Sequence, residues 1–170
     1  GTMSVGKTTL VKALQELPEF KDYNFATERS KYLNDLGIPL NTDSTLKGQT
    51  VFLAERCAEL MNNNIITDRT IFDVIAFTMN AKSIGRYDKE IFESYAKEFI
   101  REYDYIFYIS PDGIPIEDNG VRETDEHYRD IIDFTITALI KKYGHMANKV
   151  EVIKGSTEER IEQILNVIEF

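Results

Sequence analysis

The chain opens with Gly1-Thr2-Met3-Ser4-Val5-Gly6-Lys7-Thr8-Thr9, and an amphipathic pattern follows at once. No other stretch restricts the fold as strongly. Glycines at these two places allow positive-φ backbone, so successive N–H groups turn into one concave nest. The nest opens on a helix N-terminus, whose unpaired N–H groups and dipole attract phosphate oxygens. In a loop of this spacing the lysine bridges the β- and γ-phosphates and the hydroxyl after it ligates Mg²⁺. Gly1, Thr2, Met3, Ser4, Val5, Gly6, Lys7, Thr8 and Thr9 are therefore expected to hold a nucleoside triphosphate, with Thr8 on the metal. A loop of this kind sits between a buried strand and a helix. The sequence given starts at the loop's first glycine, so a central strand is expected to be missing upstream of Gly1, leaving a hole in the sheet.

The rest alternates helices with short strands. Apolar periodicity predicts helices over Lys7–Leu17, Ser30–Leu36, Thr45–Asn62, Phe72–Met79, Asp88–Arg101 and Thr124–Tyr143, with a last one capped by Ser156 and Glu159. Strands are predicted over Tyr23–Ala26, Asn64–Thr67, Tyr103–Ile109 and Val150–Ile153. Leu46, Leu53, Cys57, Leu60 and Met61 are expected inward on the long third helix, and the aromatics of Asp88–Arg101 in the core. Strands separated by helices imply a parallel sheet covered on both faces, with ligands at the carboxyl ends of the strands. The expectation is one α/β domain over 1–170, a three-layer P-loop NTPase fold with a central parallel sheet.

Composition removes several classes. With 170 residues and 42% hydrophobic content the chain can bury a full core without staples. No apolar run approaches the roughly 18 residues of a membrane span. Cys57 is the only cysteine, so there is neither a disulfide framework nor a cysteine metal site, and a cytoplasmic setting is expected. The net charge of −9 counts against gripping long nucleic acid but not against a small phosphorylated ligand. His127 and His145 lack metal-ligand spacing and read as surface residues.

Four further places carry candidate chemistry. Thr67-Asp68-Arg69-Thr70 follows a strand: the aspartate can hold Mg²⁺ or accept a hydroxyl proton, and the arginine can hold a phosphate or the transferring group. Glu28 and Arg29 follow another strand and face an acceptor. Gln49 can hydrogen-bond a base edge, because an amide both donates and accepts. The segment 111–130 reads as a lid whose Arg122 closes over the transferring phosphoryl; Arg129, on the following helix, can help it or be a solvated charge, the second reading being the favoured one. Lys154-Gly155-Ser156, after the last strand, can pass beside the nucleotide base.

On Gly1 to Thr9, Asp68-Arg69-Thr70, Ile116 to Arg122 and Gly155-Ser156 followed by Glu158-Glu159-Arg160, the chain resembles the P-loop nucleoside and nucleotide kinases. Within them it resembles a small AAA-labelled ATPase/kinase group that includes ribosylnicotinamide kinase domains. The resemblance implies Asp68 near acceptor or metal, Arg69 on phosphates and Arg122 as the lid arginine. The expected activity is transfer of the γ-phosphoryl group of ATP, with Mg²⁺, to a small nucleoside- or nucleotide-like acceptor. Lys7, Asp68, Arg69, Arg122 and Glu28 are the catalytic candidates, and Glu28, Arg29, Gln49 and Arg69 the acceptor-binding ones. Either Glu28 or Asp68 can be the key carboxylate. A regulatory P-loop ATPase and a polynucleotide 5′-kinase are the alternatives, and a homodimer is left open. The guanine-specifying Asn/Thr-Lys-x-Asp string is missing, which counts against a GTP switch.

Overall fold

A computed structural model describes residues 1–27, 30–112 and 125–170, with the backbone alone at 30 and 31. Glu28, Arg29 and 113–124, including Arg122, lie outside the described residues. Seven α-helices are described: α1 (Lys7–Gln15), α2 (Ser30–Asp35), α3 (Leu46–Glu59), α4 (Ile71–Met79), α5 (Arg86–Ala96), α6 (Glu126–Tyr143) and α7 (Thr157–Val167). The strands are β1 (Asn24–Ala26), β2 (Ile65–Thr67), β3 (Tyr105–Ile109) and β4 (Lys149–Ile153).

The strands pair in parallel, β1 with β2 (Ala26 opposite Thr67) and β3 with β4 (Ile109 opposite Ile153). Parallel strands need crossovers, and the helices supply them. Side chains alternate across β3. Ile106 and Tyr108 join the core built with α3, α4 and α6, while Phe107 and Ile109 join the core built with α1 and α7. Period-two alternation thus gives the sheet two apolar faces, each with its own helical layer. Among the described residues no helix is long and apolar enough to cross a membrane.

Between the two strand pairs lies a cavity of about 710 Å³. Ile65, Ile66 and Thr67 line one side and Tyr105 to Ile109 the other, and Gly1 also lines it. The cavity is thus a slot with β2 on one side and β3 on the other. The slot is apolar along β2 and β3, as a doubly covered parallel strand requires.

Three inward assignments fail, those of Met61, Leu46 and Tyr95. Met61 is 86% exposed and Leu46 36%, because α3 ends at Glu59 and both residues sit at its rims. On α5, Phe92 and Ala96 face the core while Ile91 and Tyr95 face outward. At 100° per residue, Tyr87, Ile91 and Tyr95 form a stripe one step round from the buried one. The pattern beyond Ala96 also changes, since Lys97–Glu102 is a 3₁₀ helix.

A strand added to the slot should pair with both open edges. Joining five β-branched apolar residues ahead of Gly1, the length of β3, should raise the melting temperature by at least about 5 °C. A polar run of equal length should leave it unchanged. Thermal denaturation followed by circular dichroism distinguishes the two.

Candidate active site

The loop is held by its own side chains. Met3 is buried in the core of α3, α4 and α6, and Val5 in the core of α1 and α7. Thr2, fully buried, donates from Oγ1 to the Arg129 carbonyl in the first turn of α6 at 3.2 Å. These three residues can therefore offer a ligand mainly their backbone. Ser4 has φ 59° and Gly6 φ 83°, the left-handed conformations from which a nest is made. At Gly1 a Cβ would lie 2.6 Å from the Ile109 carbonyl oxygen, so only glycine fits against the end of β3.

Helix α1 begins at Gly6 with no side-chain cap and no acid in its first turn. The starts of α3, α6 and α7 are capped by Thr45, Asp125 and Ser156, and α5 carries Asp88 in its first turn. At α4, Thr70 and Asp73 form a reciprocal capping box, and the Ile71 amide donates to the Tyr103 hydroxyl at 3.1 Å. Of these helix starts α1 alone has neither device, so neither a side-chain cap nor an acid offsets the positive end of its dipole.

Lys7 lies over the loop, its ammonium donating to the carbonyls of Gly1 (3.0 Å) and Thr2. Thr8 donates from Oγ1 to Asp68 Oδ2 at 2.8 Å. Asp68, 6% exposed, is placed by β2: its amide extends the β1–β2 ladder by donating to the Ala26 carbonyl at 3.3 Å. A hydroxyl beside a carboxylate is an all-oxygen donor set suited to a hard divalent cation that takes its other ligands from water and phosphate. No cluster of three His, Cys, Asp or Glu that could hold a metal occurs among the described residues.

Arg69, the next residue, is oriented from two sides. Its Nη1 lies 3.7 Å from Asp73 Oδ1, one helical turn on, and its guanidinium carbon lies 5.5 Å from the centre of the Phe77 ring. Burial pushes the Asp73 carboxyl up, but nearby positive charge, Arg69 and Lys7 included, and the Thr70 amide outweigh it and hold its pKa below the ordinary value of 3.8. Lys7, Asp68, Arg69 and Asp73 border the same cavity.

Other expected residues are placed as follows. Gln49 is buried on α3, its amide nitrogen donating to Thr78 Oγ1 (3.0 Å) and to the Val74 carbonyl (3.4 Å) of α4. Lys154 makes backbone bonds to the Gln163 amide on α7. Gly155 has φ 98°, and a Cβ there would collide with the Glu159 carboxylate of the capping box. Glu28, Arg29 and Arg122 lie outside the described residues. Arg129 is buried rather than solvated.

Sequence reasoning missed two features. Thr70-x-x-Asp73 is a legible capping box, and Asp73 stands four residues after Arg69, so that anchor had a local signal. The Thr2–Arg129 contact had none.

The family described as an AAA domain matches residues 1–160, and the chain belongs to that family. Its fold is that of a P-loop nucleoside or nucleotide kinase. The structure of deoxyadenosine kinase from M. mycoides with bound dCTP superposes with a TM-score of 0.65 at 18% identity, over 98% of this chain and 94% of that one. A second structure of that enzyme, with products dCMP and a flexible dCDP bound, gives 0.62 at 18% identity over the same shares. No curated protein matches significantly.

Asp73 supplies a pH prediction. Its folded pKa is lowered, so its stabilisation is full above the unfolded value near 3.8 and is lost as pH falls through the lower folded value. Asp73→Asn should cost about 1–2 kcal/mol at pH 7. The gap between variant and wild type in urea unfolding should shrink as pH falls below 3.8, and a constant gap would contradict the assignment.

Proposed function

We propose that the chain is an ATP-dependent kinase that moves the γ-phosphoryl group to a small nucleoside- or nucleotide-like acceptor. The observation that carries this reading is the Thr8–Asp68 contact at 2.8 Å, which joins the loop to the end of β2 beside Lys7 and Arg69. The likeness in fold to a deoxyadenosine kinase supports the acceptor class.

The triphosphate lies in the nest of Gly1 to Thr9, with its β- and γ-phosphates at the α1 N-terminus. Lys7 leaves the loop carbonyls for the phosphate oxygens, exchanging two neutral acceptors for charged ones. Thr8 and Asp68 would hold Mg²⁺, which would supply charge neutralisation to the phosphates when bound. Lys154, Gly155 and Ser156 border the base. The acceptor lies toward Arg69, Phe77 and Gln49. Arg69 is held by Asp73 and Phe77, so it meets a phosphate or the transferring group with little ordering cost.

Since Asp68 is engaged with Thr8 on the metal side, Glu28 takes the acceptor's hydroxyl proton and Arg29 helps to bind the acceptor. Arg122 of the lid at 111–130 closes over the phosphoryl group in flight. The setting is the reducing cytoplasm, where the Cys57 thiol, its pKa raised by burial, persists.

The experiment is transfer of label from γ-labelled ATP to a panel of nucleosides, nucleoside monophosphates and ribosylnicotinamide. Label should appear on one class, and Asp68→Asn should lower kcat by at least about 100-fold without lowering the melting temperature by more than a few degrees. ATP binding with no transfer to any acceptor would sink the kinase reading. Hydrolysis stimulated by a partner protein alone would point to a regulatory ATPase instead.

A further inference from the structure

The Val5–Gly6 peptide is the last unit of the loop before α1, and its orientation decides what the loop presents at the helix start. A trans peptide is planar, with its carbonyl and N–H pointing in opposite directions. Gly6, at φ 83°, cannot fix that orientation alone, because glycine accepts many backbone conformations at small cost. Arg160 does so from outside. It stands in the first turn of α7, is 7% exposed, and donates from Nη1 to the Val5 carbonyl at 2.7 Å across 155 positions of chain. A Cβ on Gly6 would lie 3.3 Å from the same nitrogen, so the guanidinium is seated directly against the back of the loop. With the Val5 carbonyl held toward α7, the Gly6 N–H is turned the other way, toward the concave side.

We propose that Arg160 is a positioning residue for nucleotide phosphates: it fixes the Val5–Gly6 peptide so that the Gly6 N–H faces the ligand, and places a positive charge behind the loop. The inference rests on the triphosphate reading of Gly1 to Thr9 and deepens it. A hydrogen bond from a charged donor is stronger than a neutral one, and here its acceptor is a backbone unit of the nest itself. Burial lowers the Arg160 pKa, but an arginine remains charged at neutral pH. The charge therefore adds to the α1 dipole at the place where phosphate is held.

The test uses the full chain, a fluorescent ATP analogue and the ¹H–¹⁵N spectrum of the free protein. Arg160→Met removes the donor, whereas Arg160→Lys keeps a charged one. In the Met variant the Gly6 amide resonance should move and the dissociation constant should rise about tenfold, with the melting temperature within a few degrees of wild type. The Lys variant should return both readouts toward wild type, with affinity within about threefold. Should the Met variant not fold, Arg160→Gln, too short to reach Val5, is read in its place.

The proposal is overturned if the Gly6 resonance stays put, or if wild type and the Met variant both bind the analogue and do so with the same affinity. It is also overturned if the Lys variant loses affinity and melting temperature as the Met variant does, since Arg160 is then only packing. If wild type binds no analogue while the Gly6 resonance moves in the Met variant and returns in the Lys variant, the positioning stands. The triphosphate reading is then what fails.

Discussion

The structure depends on one backbone segment being anchored in two hydrophobic cores at once. Met3 goes to one side of the sheet and Val5 to the other. The Thr2 hydroxyl ties the loop to α6, and the Arg160 guanidinium ties it to α7. Apolar burial is non-directional and would not alone fix a peptide's orientation. The two directional contacts supply what burial lacks. Ser4 and Gly6 then hold positive φ within a frame that leaves them little room to relax, which is how a sparsely populated conformation persists at a site.

The same economy shows at the other helix starts. Each device that satisfies an N-terminal N–H group removes a place where an anion could sit. Helix α4 is closed by Thr70, Asp73 and the Tyr103 hydroxyl, although it begins just beyond Asp68 and Arg69. Negative charge arriving at this end of the sheet is thus directed to α1. Asp73 serves twice, as a cap and as the anchor of Arg69. Coupling the cap to the anchor means that Arg69 is aimed by the same carboxylate that starts α4, one oxygen for each task.

Legibility in the sequence followed the range of the interaction. The loop spacing, the Ser156–Glu159 box and the ends of β2 and β3 were readable because each is set within a few residues. Asp68 was readable because it follows an apolar run that had to be a strand. The buried arginines were not. Arg129 read as a helix-surface residue and Arg160 only as part of a family pattern, since Arg160 reaches Val5 across 155 positions and no local period encodes that. On α5 the apolar stripe was wider than the buried face. Two adjacent rows, Phe92 with Ala96 and Ile91 with Tyr95, fit the same spacing, and only packing chose between them.

The buried arginines have a consequence for the charge the molecule shows to its surroundings. The whole chain carries −9, yet Arg56, Arg129 and Arg160 lie inside. Positive charge is thus withdrawn from the exterior and part of it is gathered behind the loop. Asp68 and Asp73 are buried as well, and Arg56 is paired with Glu59, so the charge held behind the loop is local to Arg160 and is not a general positive interior. Added salt screens that contact less than it screens charges on the exterior, because buried charges are screened less.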